Sequence, residues 1–435
     1  MKALILAFGT RGDVQPFVAL ARELRGRGHD PVLAAPARFA PLAAAHDITF
    51  ATVDDGPLRL MNGTGGVGDT VTRGIRGKLA MAKAMPATFG AVLDDAAAIA
   101  TTGPGAGAEV IVHNGQIIAA PHLGEVLGVP VVLALTVPLY LPTRAFAWPG
   151  QALPRRLPGA LNRASYLGMR APQMMFARTV DQWRRDRLDL PDRPGRHNPL
   201  HDPAGRPVPV LNAVSRHVVA PPPDWPDQVT TTGYWFLSST ETSAGSEPAA
   251  ALPETIAAFL AAGPAPVQIG FGSMTGPDPA ATTAMVLQAV DRAGVRAILA
   301  SGWGGLTTDT STSSQVLVVD DVPHDLLLPH VAAVVHHGGA GTTAAAAAAG
   351  RPQVIAPFVA DQPFWAARMH TLGVAPPALP QRRLTATGLA AAITHATTDT
   401  ELAARAAELG SRIRAEHGTA EAVTGLENLL QGSRP

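Results

Sequence analysis

One pattern constrains this chain more than any other, and it occurs twice. Short, apolar, β-branched runs alternate with stretches of helical periodicity, and a Pro/Ser/Thr-rich segment divides the two series. In the first series the predicted strands are Ala3–Phe8, Pro31–Ala35, Glu109–His113 and Val131–Leu135. Helices fit Val14–Arg27, the stretch around Lys78–Ala100, and Ala119–Leu127. In the second series the strands are Val267–Gly270, Arg296–Ala300, Val316–Val319, Val331–Val335 and Val354–Ala356. Helices fit around 280–293, 342–349, 361–372, 386–396 and 400–417. Strands that are apolar at every position are buried on both faces, the signature of a parallel sheet covered by crossover helices. An α/β fold of two doubly wound parallel sheets follows, with ligands at the carboxyl ends of the strands. Residues 1–222 and 251–415 form the two domains, and 223–250 link them. Residues 416–435 form a terminal helix expected to pack back on the first domain. Glycine-rich residues 56–77 read as a loop beside a ligand. Residues 137–165 read as further loops, followed by an Arg/Met-rich amphipathic helix to about Leu190.

The 435 residues are enough for two full cores. Lys+Arg and Asp+Glu balance at 34 each, so net charge makes no case for nucleic acid or an anionic membrane surface. The chain has no cysteine, which excludes disulfides, thiol nucleophiles and Cys-ligated zinc. The first apolar run is short and enters a glycine turn, as a buried strand does and a signal peptide does not. No apolar run reaches the ~20 residues that span a bilayer. A cytoplasmic enzyme without an integral membrane segment is expected, as a monomer or a homodimer.

Chemistry concentrates where strands hand over to helices. His336-His337-Gly338-Gly339-Ala340-Gly341-Thr342-Thr343 follows the Val331–Val335 run and opens an Ala-rich helix. Strand, glycine turn and helix N-terminus together make an anion site, since unpaired N–H groups converge there with the positive end of the helix dipole. The threonines can cap the helix or donate to phosphate oxygens, and the histidine pair adds imidazole donors. An ordinary βα turn with glycines for geometry is the plainer alternative. In the first half, Gly9-Thr10-Arg11-Gly12-Asp13-Val14-Gln15-Pro16 makes the same kind of transition. Asp13 can cap that helix, face the cleft as a general base, or do both with its two oxygens. Arg11 can orient an acceptor or simply be solvated.

Four further positions complete the second half. Ser273, in Gly270-Phe271-Gly272-Ser273, is placed to hydrogen-bond a phosphate. Trp303, flanked by glycines after a strand, suits base stacking, with ordinary packing as the alternative. Backbone around Val322 and His324 can pair with base edges. Asp361-Gln362, ending a strand, suits bidentate bonding to vicinal sugar hydroxyls, with capping by Asp361 as the alternative.

Together these residues resemble the two-domain GT-B glycosyltransferases of the family that holds plant secondary-metabolite, sterol and antibiotic enzymes. The likeness covers nearly the whole chain and is sharpest from Val322-Pro323-His324-Asp325 through His337–Thr343 to Asp361-Gln362-Pro363-Phe364-Trp365. The Gly9–Pro16 and His336–Thr343 motifs look most like those of sterol glucosyltransferases, with bacterial glycopeptide enzymes close behind. The resemblance implies a donor diphosphate on His337, Gly338, Gly339, Ala340, Gly341, Thr342 and Thr343, helped by Ser273. It implies a base pocket at Trp303 and Val322, and a hexose held by Asp361 and Gln362. Ala345 stands where plant-type members carry a ribose-binding glutamate, which leaves UDP and dTDP both open.

The resemblance also implies inversion by single displacement without a metal or other cofactor, the nucleotide sugar being a co-substrate. Asp13 would take the acceptor proton, while His337 and the helix N-terminus stabilise the leaving diphosphate. The chain contains no Asp-x-Asp metal motif. The acceptor would be a small hydrophobic molecule such as a sterol or other natural product. Its pocket is expected from Arg11, Met85, Phe89, His113, Asn114, Tyr140, Phe146 and Trp148. Three rivals share the scaffold: a sugar-nucleotide epimerase, a nicotinamide-dependent oxidoreductase and a non-catalytic binding protein. The first βα turn reads Gly-x-x-Gly-Asp, not Gly-x-Gly-x-x-Gly, which counts against the oxidoreductase.

Overall fold

The computed structural model describes residues 1–62, 74–150, 157–193, 197–239, 251–271, 279–300, 314–320 and 322–432; of the side chains of 61–62, 74–87 and 170–173, nothing is described. The first half contains β1 (Lys2–Leu6), α1 (Arg11–Gly26), β2 (Asp30–Pro36), α2 (Ala40–Ala44), β3 (Thr49–Val53) and α3 (Gly56–Asn62). It continues with α4 (Gly74–Thr101), β4 (Val110–His113), α5 (Ala120–Leu127), β5 (Val131–Leu135), α6 (Gly159–Ser165), α7 (Arg170–Leu188), β6 (Val210–Asn212) and β7 (Val229–Thr231). The second half holds α8 (Glu254–Ala261), β8 (Val267–Gly270), α9 (Pro279–Ala293), β9 (Ala297–Ala300), β10 (Val316–Val319) and α10 (His324–Leu327). After these come β11 (Ala333–His336), α11 (Ala340–Ala348), β12 (Gln353–Ile355), α12 (Gln362–Thr371), α13 (Ala386–Thr398), α14 (Thr400–Arg414) and α15 (Gly418–Gly432).

Both sheets are wholly parallel. The first runs β3-β2-β1-β4-β5-β6-β7 and the second β10-β9-β8-β11-β12. Strand order reverses between β1 and β4 in one sheet and between β8 and β11 in the other. Crevices open at such reversals, so the loops leaving β1, β4 and β11 are the places for a ligand. The apolar strands bury both faces, as Leu4, Leu6 and Ile111 on one side of the first sheet and Ile5, Val112 and Ala134 on the other.

Several boundaries differ from expectation. Residues 56–62 are helix rather than loop: the Asp54 carboxylate accepts from Gly56 N at 2.7 Å, Pro57 suits a first turn, and Leu58 is buried. Helix resumes at Gly74, and 63–73 lie outside the described residues. Gly159–Ser165, expected as loop, is α6. The stretch from 223, expected to link the halves, first adds β7 to the edge of the first sheet. Strands β3, β6 and β7 are short or threonine-bearing, and the apolar-run criterion passes over them. The β11 strand sits later than predicted and takes in His336.

The halves meet through a shared apolar cluster. Val214, Val218, Val219 and Tyr234 pack with Ala344, Trp365, Met369, Leu409 and Ile413. The terminal helix α15 lies against α1, where Ala422, Val423 and Leu426 join the core around Phe17 and Trp235. Gly418 starts it at a tight crossing: a Cβ there would stand 2.4 Å from the Tyr234 carbonyl oxygen. Among the described residues no helix is long and apolar enough to cross a membrane.

Candidate active site

The first wall is built by the turn after β1. Gly9 has φ +131, and a Cβ on it would stand 2.4 Å from Asp13 Oδ2, so only glycine fits beneath that carboxylate. Asp13 lies in the first turn of α1 and reaches back to the cap. Its Oδ2 accepts from the Thr10 backbone N–H at 2.7 Å and the Thr10 hydroxyl at 2.9 Å. Its Oδ1 accepts from Gln116 Nε2 at 3.0 Å. Burial pushes the Asp13 carboxyl up from its ordinary value, and the bonds from Thr10 and Gln116 offset this only in part. Ionisation by the helix N-terminus alone does not describe this residue. Arg11 lies at the exposed start of α1, its Nε donating to Gln15 Oε1 at 2.9 Å.

The loop after β4 supplies Gln116, which sequence reasoning missed. Its position just past a strand beside the reversal point was the available signal. Asn114 and His113, expected on the acceptor, instead brace this loop. Asn114 donates to the Phe8 carbonyl at 2.7 Å, and its Oδ1 accepts from Gln116 N at 3.1 Å. His113 is buried, and its Nδ1 accepts from Gly115 N at 3.2 Å; burial pushes it down to about 4. Tyr140 donates to the Gly115 carbonyl at 3.2 Å and is pushed up to about 12 by burial.

The second wall repeats that device. His336 ends β11 fully buried, its Nδ1 accepting from Gly338 N at 3.0 Å and its Nε2 paired with Gln353 Oε1 at 2.9 Å. Burial pushes it down to about 3, so it is a neutral core residue and not a phosphate donor. The Gly338 N–H is committed to it. His337 is the imidazole beside the turn: its Nδ1 has no partner among the described residues, and burial with nearby His324 pushes it down to about 4. Its Nε2 would lie 2.5 Å from a Cβ at Gly339, so this glycine gives the ring its place. Gly339 caps α11 in extended geometry with no side chain to occupy the N–H groups that follow. Ala340 and Thr342 are half-buried in that first turn and Gly341 is exposed. Thr343 points the other way, fully buried with its hydroxyl unpartnered. The Val322 side chain is likewise packed in the core, which leaves its backbone for a base, and His324 opens α10 next to it.

The two helix N-termini face each other. A Cβ on Gly341 would come within 3.9 Å of Gly12 Cα, so α1 and α11 nearly touch end to end across the halves. Their positive dipole ends therefore converge. Asp361 completes the group: its Oδ2 accepts from Trp365 Nε1 at 2.7 Å. Burial raises its carboxyl from the ordinary value, and Asp13 lies close enough to raise it further. Gln362 spends its Oε1 on the Phe358 and Val359 backbone N–H groups, at 2.7 and 3.2 Å. It shapes the loop that carries Asp361, and only its amide nitrogen is left for a sugar.

Ser273, Trp303 and the Met85 side chain lie outside the described residues. Phe89, half-buried, packs on Phe176, ring centres 4.2 Å apart, and on Phe8 at 6.4 Å. Phe146 packs across the halves on Phe364, at 5.3 Å. Trp148 lies against Gly168 and Gly150, with its indole N–H buried and unpartnered.

Comparison with known proteins bears on the fold that carries these residues. Residues 3–143 match the glycosyltransferase family 28 N-terminal domain, and residues 286–429 match the erythromycin biosynthesis protein CIII-like C-terminal domain. The chain has the GT-B fold, and each of its halves matches one glycosyltransferase-related domain family. A sterol 3-beta-glucosyltransferase of Emericella nidulans is 35% identical over 442 residues, covering 99% of this chain and 30% of the relative. The chain thus spans under a third of the length of that curated relative. The glycotransferase of kitacinnamycin shares the fold with a TM-score of 0.70 at 18% identity, over 99% of both chains. The glycosyltransferase VinC, solved in complex with dTDP, gives 0.64 at 18% identity over the whole of both chains.

Proposed function

We propose that this GT-B protein transfers a hexose from a UDP- or dTDP-sugar to a hydroxyl of a hydrophobic acceptor, with inversion and without a metal. One observation carries the reading. Asp13 on one half lies close enough to Asp361 on the other to raise its carboxyl, beside the meeting of Gly12 and Gly341 at two helix N-termini. Converging backbone N–H groups and dipoles would take the diphosphate charge that a metal takes elsewhere. His337, neutral at physiological pH, would donate one hydrogen bond to it. Asp361 would hold sugar hydroxyls.

The acceptor oxygen would attack the anomeric carbon as the bond to the diphosphate breaks, and its proton would pass to Asp13. Oδ1 is the oxygen for that proton, since it accepts one hydrogen bond while Oδ2 accepts two. A carboxyl raised by burial is a stronger base than an ordinary aspartate, which suits a weakly acidic alcohol. The name of the fungal relative favours a sterol and glucose, and the dTDP bound by VinC keeps the second nucleotide in view. The test is a donor-by-acceptor screen read by mass spectrometry, with UDP- and dTDP-sugars against sterols, flavonoids and macrolides. A glycosylated acceptor supports the reading. An isomerised nucleotide sugar with no acceptor product would indicate an epimerase instead.

A further inference from the structure

Among the described residues, four of the seven large apolar side chains that are exposed fall in one short segment. Leu161 is 54% exposed, Leu167 56%, Met174 75% and Met175 43%. On α7, Phe176, Val180 and Trp183 bury one stripe in the core of the first half. The helical period places Met174, Met175 and Arg178 on the opposite side. Charge is segregated here too. From Arg144 to Val180 the chain carries Arg144, Arg155, Arg156, Arg163, Arg170 and Arg178, and not one Asp, Glu or Lys; the carboxylate that reaches in is Asp224, 3.5 Å from Arg163. The overall balance of 34 against 34 conceals this.

The segment also borders the cleft. The Trp148 backbone N–H donates to Ser165 Oγ at 2.8 Å, and a Cβ at Gly168 would stand 3.0 Å from the Trp148 ring. Two residues earlier, Phe146 lies on Phe364 of α12, the helix that opens next to Asp361.

We propose that the face formed by Leu161, Leu167, Met174 and Met175, with Arg163 and Arg178, seats on an anionic lipid bilayer at the mouth of the cleft. Apolar side chains set among arginines match the two layers of such a surface, acyl boundary below and charged headgroups above. A second copy of the chain fits less well, because two-fold pairing of this face would set its arginines against their own copies. Docking here would let an apolar acceptor pass from bilayer to cleft. That use rests on the acceptor proposed above, but docking itself is read without turnover.

The test is co-sedimentation of the full chain with vesicles of phosphatidylcholine alone and with about 30% phosphatidylglycerol. Binding to the anionic vesicles that weakens as salt rises is expected. Arg178→Gln should weaken it about fivefold. The triple change Leu167→Ser, Met174→Ser, Met175→Ser should weaken it more than tenfold, with the circular dichroism spectrum unchanged. No binding to anionic vesicles, or equal binding by wild type and both variants, would overturn the proposal. So would a dimer in light scattering that the triple variant converts to monomer, since the face would then join two copies.

Discussion

Gln116 Nε2 donates to Asp13 Oδ1 at 3.0 Å, so the loop after β4 holds the carboxylate that α1 carries. Removing that donor by Gln116→Ala should lower kcat about tenfold, the scale of one hydrogen bond to a charged group, with donor affinity unchanged. Gln116→Glu should add a like charge and move the acid limb of the kcat profile to higher pH. A Gln116→Glu profile that overlays the wild type would show that this contact does not reach the chemistry.

Asp13→Asn should reduce transfer by at least about a hundredfold, while calorimetry finds the nucleotide sugar still bound. Its stability should change with pH in a defined sense. The folded-state pKa of Asp13 lies above its unfolded value, so the folded state favours the protonated form. The wild type therefore loses stability relative to Asp13→Asn as pH rises through the raised value. Thermal melts should show the variant gaining on wild type as pH rises above about 4, the ordinary aspartate value. A difference in Tm that stays constant across this range would refute the assignment.

The buried histidines act in the opposite direction. His113 and His336 are pushed down to about 4 and 3 while each accepts a glycine N–H. Their contribution is complete above about pH 6.5 and declines as pH falls toward the folded values, by about 1.4 kcal/mol per pH unit for each. Urea titrations at pH 7 and 5 should show this loss. His336→Gln, although less stable at pH 7, should show a smaller loss between the two.

Two glycines separate the walls. Gly9→Ala would drive a Cβ into the Asp13 carboxylate and should lower kcat with little effect on donor affinity. Gly339→Ala would drive one into the His337 ring and should weaken nucleotide-sugar binding by about tenfold. Both are read from initial rates and calorimetry on the purified variants. An equal loss of affinity in both would contradict the division of labour.

The sequence carried the architecture well, because buried parallel strands announce themselves as continuous apolar runs. It also located the turns after β1 and β11, where Asp13 and His337 stand. What it could not carry was direction. His336 and His337 are equivalent in a string of letters, but strand alternation turns His336 inward and leaves His337 beside the turn. Thr342 and Thr343 part in the same way on a helix. Gln116 stayed hidden because it lies 103 residues from Asp13 and meets it only through the pairing of β1 with β4. His113 and Asn114 look like pocket residues by type, and only packing shows them buried and bonded within the β4 loop.

The crossing at Gly418 has a mechanical side. The chain passes from the first half to the second just beyond Tyr234 and returns through Glu416–Gly418, and there these passages lie against each other. Glu416 also takes the Arg216 N–H, at 3.1 Å. Both connections thus run side by side at Gly418. The apolar cluster of Val214, Val218 and Val219 with Trp365 and Met369 joins the halves as well, so any parting of α1 from α11 has to slide that packing while leaving both sheets whole.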